Sequence, residues 1–384
     1  MAGSSETSQL QPPPDKALQP RVGPELSVIV PTFNERENVL SLIELLGETL
    51  GNVRWEVIFV DDDSPDETAT LVREIAQRDT RVRCIQRVGR RGLSTACVEG
   101  MLASSAPYLA VIDGDLQHDE SLLPRMLEIL RQGDKDIVIG TRYSEGGGTG
   151  DWAESRVAIS DFAGRLSRLV LKSKLSDPMS GFFMLRREFL ESALRRLSGI
   201  GFKILVDLFA SSKEPPRFAE LPYQFRVRTA GESKLDTHVA WDYIMLLMDK
   251  LIGHIVPVRF VSFGIVGGLG VIVHFAVLGA LFTQAGVAFE LSQASATIVA
   301  MTSNFALNNA LTYRDMRLTG WRWLKGWFSF LLACSIGALA NVGVATYLFE
   351  MDTQWALAGL AGILVGMVWN YVITMMYTWK APQA

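Results

Sequence analysis

The chain has 384 residues, a net charge of −4 and 48% apolar residues. This length favours two domains over one compact core, and the small net charge, without any block of lysine and arginine, argues against nucleic acid as a partner. Its 3 cysteines are scattered and form neither a Cys-x-x-Cys pair nor a Cys/His cluster, so neither a disulfide framework nor a zinc site is expected.

A tail precedes the first predicted strand. Residues 1–24 are rich in Ser, Gln and Pro and contain no apolar signal core, so we expect them to be disordered and the domain that follows to stay in the cytoplasm. Short apolar runs then alternate with segments of helical spacing, which predicts a mainly parallel, doubly wound α/β sheet. The first five predicted strands are Leu26–Val30, Val57–Val60, Val82–Gln86, Leu109–Ile112 and Asp136–Gly140. Four helices are predicted between these strands. The first covers Glu35–Leu50, the second begins at Pro65, the third ends at about Ser104, and the fourth covers Ser121–Arg131.

The start of the second helix carries a capping-box pattern. Ser64 and Glu67 have the spacing of that motif, and Pro65 occupies the position that favours the first helical residue. This cap does not account for the acidic residues ahead of it, Asp61 to Asp63, which follow the second strand. Carboxylates at the carboxyl end of a parallel strand suit a ligand with hydroxyl and amide groups, such as a nucleoside.

A second acidic pair follows the fourth strand. Asp113 and Asp115 flank Gly114, and two carboxylates so close together are costly unless something neutralises them. A divalent cation with hard oxygen ligands, shared with a substrate diphosphate, is the usual solution. A polar turn is the alternative interpretation of this pair taken alone.

Further polar segments follow the fifth strand. Arg142 is followed by the glycine-rich residues 144–150, which could form an active-site lid or an ordinary loop. A helix is predicted over Glu154–Lys172, with Arg156 and Ser160 on one face. A turn at 177–181 then leads into a strand at 182–185, and residues 218–228 are predicted to be extended. The sequence has neither a Gly-x-Gly-x-x-Gly after the first strand nor a Walker lysine motif, which argues against a dinucleotide oxidoreductase and a P-loop NTPase.

These segments together resemble family 2 glycosyltransferases, and more narrowly the dolichol-phosphate mannose synthases and their bacterial polyprenyl-phosphate relatives. The motifs occur in the family's order and span about residues 26–234. They are PTFNE (Pro31–Glu35), VDDDSPD (Val60–Asp66), GLSTA (Gly92–Ala96), DGDLQH (Asp113–His118), TRY (Thr141–Tyr143), SDPMSGF (Ser176–Phe182) and RTAGESK (Arg228–Lys234). The C-terminal part resembles, more loosely, the GtrA-like four-helix membrane domain through Phe263–Gly270 and Asn304–Asn308.

The resemblance implies a GT-A nucleotide-sugar-binding domain over residues 25–235 and assigns roles to its residues. The nucleoside pocket would be lined by Pro31, Thr32, Asn34, Glu35 and Asp62, with Asp62 near the base. Asp113 would lie near the ribose and the metal, and a Mg²⁺ or Mn²⁺ ion would be held mainly by Asp115 and Gln117. The acceptor phosphate or the donor diphosphate would be held by Arg142, Arg156, Ser160, Arg228 and Lys234. Asp63 stands where relatives often have Asn or Gly, which leaves the base preference open.

The implied reaction transfers a sugar, with inversion, from a nucleotide sugar to a polyprenyl phosphate. GDP-mannose is the expected donor, and dolichyl or undecaprenyl phosphate is the expected acceptor. UDP-glucose and UDP-N-acetylglucosamine remain open as donors, because the motifs contact phosphate and ribose. A processive polysaccharide synthase would carry a Gln-x-x-Arg-Trp motif, which this sequence lacks. A phosphatase or nuclease would not need the ordered nucleoside and acceptor motifs.

The sequence predicts a membrane domain over residues 257–384. Uncharged runs cover Phe260–Phe289, Leu291–Tyr313, Gly326–Phe349 and Thr353–Trp379, and each is long enough to cross a bilayer. Ahead of them, residues 236–256 are predicted to form an amphipathic helix at the membrane surface, with an apolar stripe that includes Tyr243, Leu246 and Leu247. A plain connecting helix is the alternative.

The distribution of charge predicts the orientation of an integral, multi-pass protein of the inner or plasma membrane. With four spans, all cationic residues beyond Phe260 fall on the side of the soluble domain: Arg314, Arg317, Arg322, Lys325 and Lys380. This is the positive-inside pattern and places the catalytic domain and both termini in the cytoplasm. The membrane domain could also form a homo-oligomer. A lipid-sugar flippase with a regulatory nucleotide-sugar-binding domain is the alternative from another functional class.

Overall fold

The computed structural model describes residues 23–90, 92–144, 147–148, 162–226 and 237–379. Within these residues, one seven-stranded sheet has the order β3-β2-β1-β4-β6-β5-β7. The strands are β1 (Leu26–Thr32), β2 (Trp55–Asp61), β3 (Val82–Gln86), β4 (Tyr108–Val111), β5 (Ile137–Thr141), β6 (Phe183–Arg186) and β7 (Phe218–Pro222). All neighbouring strands are parallel except β6, which is antiparallel to both β4 and β5. The prediction of a mainly parallel sheet is confirmed.

Helices cover both faces of this sheet, as the doubly wound prediction requires. Two separate apolar clusters form, because alternate residues of a strand point to opposite faces: Val28 and Phe59 belong to one cluster, and Ile29 and Ile58 belong to the other. The helices of this part are α1 (Val39–Thr49), α2 (Thr68–Ala76), α3 (Leu93–Ala103), α4 (Leu123–Arg131), α5 (Arg187–Leu194) and α6 (Ile204–Ser211). Residues 162–167 are also helical, so this helix ends before Lys172, its predicted end.

The capping box predicted at Ser64 is wrong. Helix α2 begins at Thr68, because Glu67 adopts a left-handed conformation with φ of +64° and cannot be part of the helix. The Ser64 hydroxyl instead donates to Asp61 Oδ1 at 2.5 Å. The first turn is capped by Asp66, whose Oδ1 accepts from the backbone N–H of Thr68 at 3.0 Å.

The antiparallel strand β6 brings another segment to the edge where the predicted site residues lie. Val111, at the end of β4, is paired with Phe183, at the start of β6. The turn Asp177–Gly181 that precedes β6 therefore lies at the carboxyl edge of β4. A parallel strand in the same position would have placed this turn at the opposite edge.

Helix α7 (Thr237–Ile252) joins the two parts of the chain. Its predicted apolar stripe is not open to lipid, since Tyr243, Leu246 and Leu247 are buried against Met179 and Val206 of the soluble part. The prediction that this apolar face lies on the membrane surface is therefore wrong, and the alternative of a connecting helix is favoured for this face. Contact of the remaining face with a membrane surface stays a prediction.

Four long helices follow α7 within the described residues. They are α8 (Val258–Gly279), α9 (Phe289–Leu307), α10 (Gly320–Glu350) and α11 (Trp355–Ile373). Three helical segments among the described residues are long and apolar enough to cross a membrane: Val258–Gln284, Gly320–Glu350 and Leu357–Thr378. The polar residues Asn304, Asn308 and Asn309 make α9 and its continuation less apolar, so the predicted fourth span stays a prediction.

The connection between α9 and α10 lies next to α7. Arg314 pairs with Asp242 of α7 at 3.2 Å, and Asp315 pairs with Arg259 at 2.6 Å. The first of these ion pairs joins the helical bundle to the linking helix. The α9–α10 connection therefore lies at the end of the bundle that faces the soluble domain.

Candidate active site

The loop after β4 brings the acidic pair against the loop after β1. The Gly114 position is tight, since a Cβ there would lie 3.3 Å from Thr32 Cγ2 and 3.5 Å from Glu35 Cγ. On the other side, a Cβ on Gly181 would lie 3.1 Å from the carboxylate of Asp113. Three motifs far apart in the sequence thus meet at one edge of the sheet.

Asp115 and Gln117 are held in place by the backbone around them. Asp115 Oδ1 accepts from the N–H of Gln117 at 3.2 Å, and both side chains are buried. The Gln117 amide nitrogen donates to the carbonyl of Arg226 at 3.0 Å, and the Gln117 carbonyl accepts from the N–H of Arg226 at 2.9 Å. Because the amide nitrogen is engaged, the side chain can offer only its Oε1 atom to a metal.

These oxygens fit a hard divalent cation. Asp113, Asp115 and Gln117 supply carboxylate and amide oxygens, the donor types that Mg²⁺ and Mn²⁺ prefer. Among the described residues, no group of three or more Asp, Glu, His or Cys side chains has a metal-binding arrangement. A site of two carboxylates and one amide therefore suits an ion that completes its coordination with water and substrate phosphate, as Mg²⁺ commonly does.

His118 supports this loop and is not placed as an acid or base. Its Nδ1 accepts from the backbone N–H of Asp113 at 3.2 Å, so the neutral ring carries its proton on Nε2, which lies 3.7 Å from the Asp113 carboxylate. Its ring stacks on Phe182 at 5.3 Å and meets Tyr223 and Phe225 edge-on. Burial lowers the pKa of His118, although Asp113 opposes this shift, so the ring is neutral at pH 7.

The carboxyl group of Asp113 has an altered pKa for a related reason. Burial raises the pKa of Asp113, because the charged form loses hydration, and His118 opposes the rise only when its ring is protonated. Asp115 adds to the rise by repulsion, and Lys203 acts against it. A cation bound beside the two carboxylates would remove this penalty.

The predicted nucleoside residues lie at the ends of β1 and β2. Thr32 is buried, Pro31 and Glu35 are half-buried, and Asn34 is exposed. Asp62 is buried and accepts from the N–H of Gly92 at 2.7 Å, which ties the end of β2 to the start of α3.

Arg87 was missed by the sequence analysis, although it follows β3 directly, just as Asp62 follows β2. Its side chain is 2% exposed and pairs with Asp62 Oδ1 at 3.0 Å. It also donates to the carbonyl of Gly92 at 3.0 Å and to the hydroxyl of Thr95 at 2.6 Å. Arg87 therefore neutralises Asp62 and fixes the start of α3 against the end of β2.

Arg142 is bound to a carboxylate. Its Nε and Nη2 donate to the two oxygens of Asp177 at 2.7 and 2.9 Å, and both side chains are buried. Burial alone would lower the pKa of Arg142, but the hydrogen bonds and charge of Asp177 outweigh it and raise that pKa. The phosphate-binding role predicted for Arg142 stays a prediction, with at most part of the guanidinium available for it.

Lys203 is a second residue that the sequence analysis missed. It directly precedes α6, and its Nζ donates to the carbonyl of Met179 at 3.4 Å. The signal was a single lysine in an otherwise uncharged stretch, Leu197–Val206. The other predicted phosphate-binding residues, Arg156, Ser160, Arg228 and Lys234, lie outside the described residues.

Comparison with known proteins assigns both parts of the chain. Residues 27–194 match the model of glycosyl transferase family 2, and residues 262–379 match the model of the GtrA/DPMS transmembrane domain. Together with the sheet described above, the first match confirms the predicted GT-A class of fold. The second match and the three long apolar helices identify the C-terminal part as a membrane domain.

Full-length similarity extends to a curated enzyme. The dolichol-phosphate mannosyltransferase of Pyrococcus furiosus is 35% identical over 361 residues, which cover 92% of this chain and 99% of that protein. The dolichol-phosphate mannosyltransferase of Saccharomyces cerevisiae is 38% identical over 59% of this chain and 86% of its own length. Among solved structures, glucosyl-3-phosphoglycerate synthase from Mycobacterium tuberculosis in complex with Mn²⁺, UDP-glucose and phosphoglyceric acid is 20% identical, with a TM-score of 0.44, covering 60% of this chain and 79% of its own.

Proposed function

The chain belongs to the dolichol-phosphate mannosyltransferases of glycosyl transferase family 2, and on that premise we propose that it transfers mannose from GDP-mannose to a polyprenyl phosphate. The reaction takes place at the cytoplasmic face of the membrane and inverts the anomeric centre. The observation that carries the proposal is the match to the Pyrococcus furiosus enzyme, which extends over 92% of this chain and so includes both of its parts. Dolichyl and undecaprenyl phosphate both fit as acceptors.

The carboxyl edge of the sheet supports the donor side of this proposal. A Mg²⁺ or Mn²⁺ ion held by Asp113, Asp115 and Gln117 would neutralise charge on the leaving nucleoside diphosphate. Thr32, Glu35 and the Asp62–Arg87 pair border the space beside this loop, where the nucleoside would lie. The fixed loops at this edge are preorganised, and preorganised charge is commonly the largest contribution to catalysis.

The acceptor side needs no strong base. A phosphate monoester is already ionised at neutral pH, so its oxygen can attack without losing a proton to the enzyme. The neutral, enclosed state of His118 agrees with this requirement. Positive charge is needed to bring the anionic acceptor to the anionic donor, and we assign that role to part of Arg142 with Arg156, Ser160, Arg228 and Lys234.

The membrane part is proposed to cross the bilayer four times, with the soluble domain and both termini in the cytoplasm. The ion pair between Arg314 and Asp242 supports this orientation, because it joins a positively charged connection of the bundle to the helix next to the soluble domain. Residues 257–384 would anchor the enzyme at its lipid substrate. The same residues would form the contacts between subunits of a homo-oligomer.

The direct test is transfer by the purified full-length protein in detergent. It is incubated with Mn²⁺ or Mg²⁺, a polyprenyl phosphate and, separately, radiolabelled GDP-mannose, UDP-glucose or UDP-N-acetylglucosamine. We expect label in an organic-extractable product from GDP-mannose alone. Label from a UDP-sugar alone would overturn the donor assignment and keep the reaction type, whereas no lipid product from any donor would overturn the enzyme proposal and bring the flippase alternative forward.

A further inference from the structure

Residues 198–201 form a loop between α5 and α6, the 198–201 loop, which packs against the start of α3. The Gly201 carbonyl accepts from the backbone N–H of Ser94 at 3.2 Å. A Cβ on Gly199 would lie 3.2 Å from Thr95 Cγ2, so the loop backbone leaves little space beside this side chain. Both glycines have left-handed φ angles, +62° at Gly199 and +71° at Gly201. The position of this loop therefore constrains the first turn of α3.

The first turn of α3 holds the charged pair that joins the ends of β2 and β3. The hydroxyl of Thr95 accepts from Arg87 Nη2 at 2.6 Å, and the N–H of Gly92 donates to Asp62 Oδ2 at 2.7 Å. Arg87 itself pairs with Asp62 at 3.0 Å. A shift of this turn would therefore move Arg87 and Asp62 together, and Asp62 is the residue expected to lie near the base.

Asp207 joins the 198–201 loop to α7. Its Oδ1 accepts from the N–H of Ser198 at 3.2 Å, and its Oδ2 accepts from the N–H of Gly199 at 2.9 Å. The same fully buried carboxylate lies 2.6 Å from Nζ of Lys250, a residue of α7. Because a buried carboxylate is costly without a cation, the fixed form of the loop depends on the position of α7.

Gly201 is the point at which the 198–201 loop meets α7 directly. A Cβ on Gly201 would lie 3.0 Å from Asp242 Cβ, which is shorter than the roughly 3.5–4.0 Å that is optimal for two carbon atoms. Asp242 also pairs with Arg314 of the α9–α10 connection at 3.2 Å. The helix that supports the loop is thus held from the side of the helical bundle as well.

We propose that the 198–201 loop is a positioning element through which α7 sets the nucleoside end of the donor site. Helix α7 supports the loop, the loop holds the first turn of α3, and that turn places Arg87 and Asp62 for binding the nucleoside. The candidate metal ligand Gln117 is held instead by the backbone of Arg226, so metal binding should not depend on this loop. The inference rests on the proposed function, since it requires a nucleoside beside Asp62.

The first test adds one methyl group at the contact with α7 and then removes the group that it meets. Gly201→Ala, Asp242→Gly and the double variant are compared in the full-length protein in detergent. The matched double variant, Gly201→Ala with Asp242→Ala, keeps the Cβ on α7. Gly133→Ala is the control for backbone strain, because Gly133 also has a left-handed φ of +83° and a Cβ there would meet nothing closer than 3.8 Å.

The measurements separate binding of the nucleoside from binding of phosphate and metal. Dissociation constants for GDP, GMP, UDP and UMP are measured with Mg²⁺ present, and the dissociation constant for Mn²⁺ is measured without nucleotide. In Gly201→Ala, we expect the affinities for diphosphate and monophosphate to fall by the same factor, about fivefold or more, the lower end of common coupling between sites. The affinity for Mn²⁺ should stay unchanged, whereas general damage to the domain would lower it too.

The double variants show whether the effect comes from α7. Asp242→Gly should restore nucleotide affinity when combined with Gly201→Ala, because the added methyl group then has space. Asp242→Ala should not restore it. Asp242→Gly alone and Gly133→Ala should bind nucleotides as the wild type does.

A second pair of variants tests the contact with α3 and decides the question if Gly201→Ala does not fold. Gly199→Ala adds a methyl group against Thr95 Cγ2, and Thr95→Ser removes that carbon while it keeps the hydroxyl that accepts from Arg87. We expect Gly199→Ala to weaken nucleotide binding, and we expect Thr95→Ser to restore binding in the double variant.

A folded Gly201→Ala or Gly199→Ala protein that binds nucleotides like the wild type would overturn the inference and leave the proposed function standing. The same conclusion would follow from a loss confined to the diphosphates, from an equal loss in Gly133→Ala, or from double variants that recover no affinity. A wild-type protein that binds none of the four nucleotides would overturn the proposed function and this inference together.

Discussion

Arg142 and Asp177 form a buried, two-pronged ion pair at the edge of the sheet. Nε and Nη2 of the arginine lie 2.7 and 2.9 Å from the two carboxylate oxygens, and the backbone N–H of Arg142 also donates to Asp177 at 3.3 Å. Asp177 is fully buried. The pair fastens the turn before β6 to the end of β5, and this turn carries Gly181 against Asp113.

Asp177→Asn should therefore destabilise the soluble domain and disturb the candidate metal site together. Removing one partner of a buried ion pair leaves an uncompensated charge, and we expect the free energy of unfolding to fall by about 3–5 kcal/mol. Urea unfolding followed by tryptophan fluorescence measures this loss. The control is Asp136→Asn at the largely exposed pair with Arg217, where the change should be much smaller. Equal changes at the two sites would contradict the structural role assigned to Asp177.

Asp66, the residue that caps α2, should make stability depend on pH in the acid range. Its pKa is lowered from 3.8, because hydrogen bonds from Thr68 and Arg36 outweigh the opposing effect of burial. A lowered pKa means that the unfolded chain takes up the proton first, so this stabilisation is complete above pH 4 and is lost as the pH falls below it.

Asp66→Ala tests this assignment. We expect a loss of about 1 kcal/mol at pH 7, typical of a lost helix cap, and a shallower decline of stability as the pH falls below 4. Thermal unfolding at a series of pH values measures both. Glu67→Ala is the control, because the sequence pattern names Glu67 as the capping partner and the structure does not. A larger effect at Glu67 than at Asp66 would restore the predicted capping box.

Strand and helix order could be predicted from the sequence because the central strands β1, β2, β4 and β5 are short, mainly apolar runs that are largely buried on both faces. Val28, Ile29 and Val30 are all fully buried, so their hydrophobic run needs no alternation to be recognised. The helix start at Thr68 was missed because the backbone of Glu67 turns left-handed, which residue type alone does not reveal. The antiparallel direction of β6 was also missed, since a strand's direction depends on long-range pairing.

The candidate site was predictable where functional groups follow strand ends, as Asp113 and Asp62 do. Residues that contact these groups from other parts of the chain could not be predicted. Arg87 forms its ion pair with Asp62, a residue of another strand end. Lys203, at the start of α6, contacts the carbonyl of Met179 in the turn before β6. For α7, helical spacing predicted the apolar stripe that includes Tyr243, Leu246 and Leu247. It could not predict that Val206 of the soluble part packs against this stripe.

Asp115→Ala should abolish sugar transfer, because it removes a carboxylate from the proposed metal site. Loss of Mn²⁺ binding, followed by electron paramagnetic resonance of the free ion, should accompany the loss of transfer. Asp134→Ala is the control, since this aspartate is largely exposed and precedes β5, at the edge of the sheet opposite the candidate site. Turnover close to that of the wild type at saturating metal would contradict the assignment of Asp115 as a ligand.

Lys250 and Asp207 should hold α7 against the soluble domain. Lys250 Nζ lies 2.6 Å from Asp207 Oδ1 and donates to the carbonyl of Arg196 at 2.7 Å, and both side chains of the pair are buried. Lys250→Met leaves a buried carboxylate without its cation, so we expect a loss of about 3–5 kcal/mol and faster proteolysis within α7.

The double variant Lys250→Met with Asp207→Asn should recover part of that stability, because no unpaired charge remains. Urea unfolding of the two single variants and the double variant gives the coupling between the residues. Additive effects would mean that the contact between Lys250 and Asp207 does not fasten α7.

The proposed membrane orientation predicts which connections of the bundle are accessible from each side. Arg317 lies in the connection that joins α9 to α10, beside the Arg314–Asp242 pair, and should face the cytoplasm with the soluble domain. Asp352 lies between α10 and α11 and should face the opposite side. In a protein without its native cysteines, Arg317→Cys should react with a membrane-impermeant maleimide only after the cells are permeabilised. Asp352→Cys should react in intact cells. Labelling of both positions from one side would contradict four spans with this orientation, since an odd number of crossings must separate them.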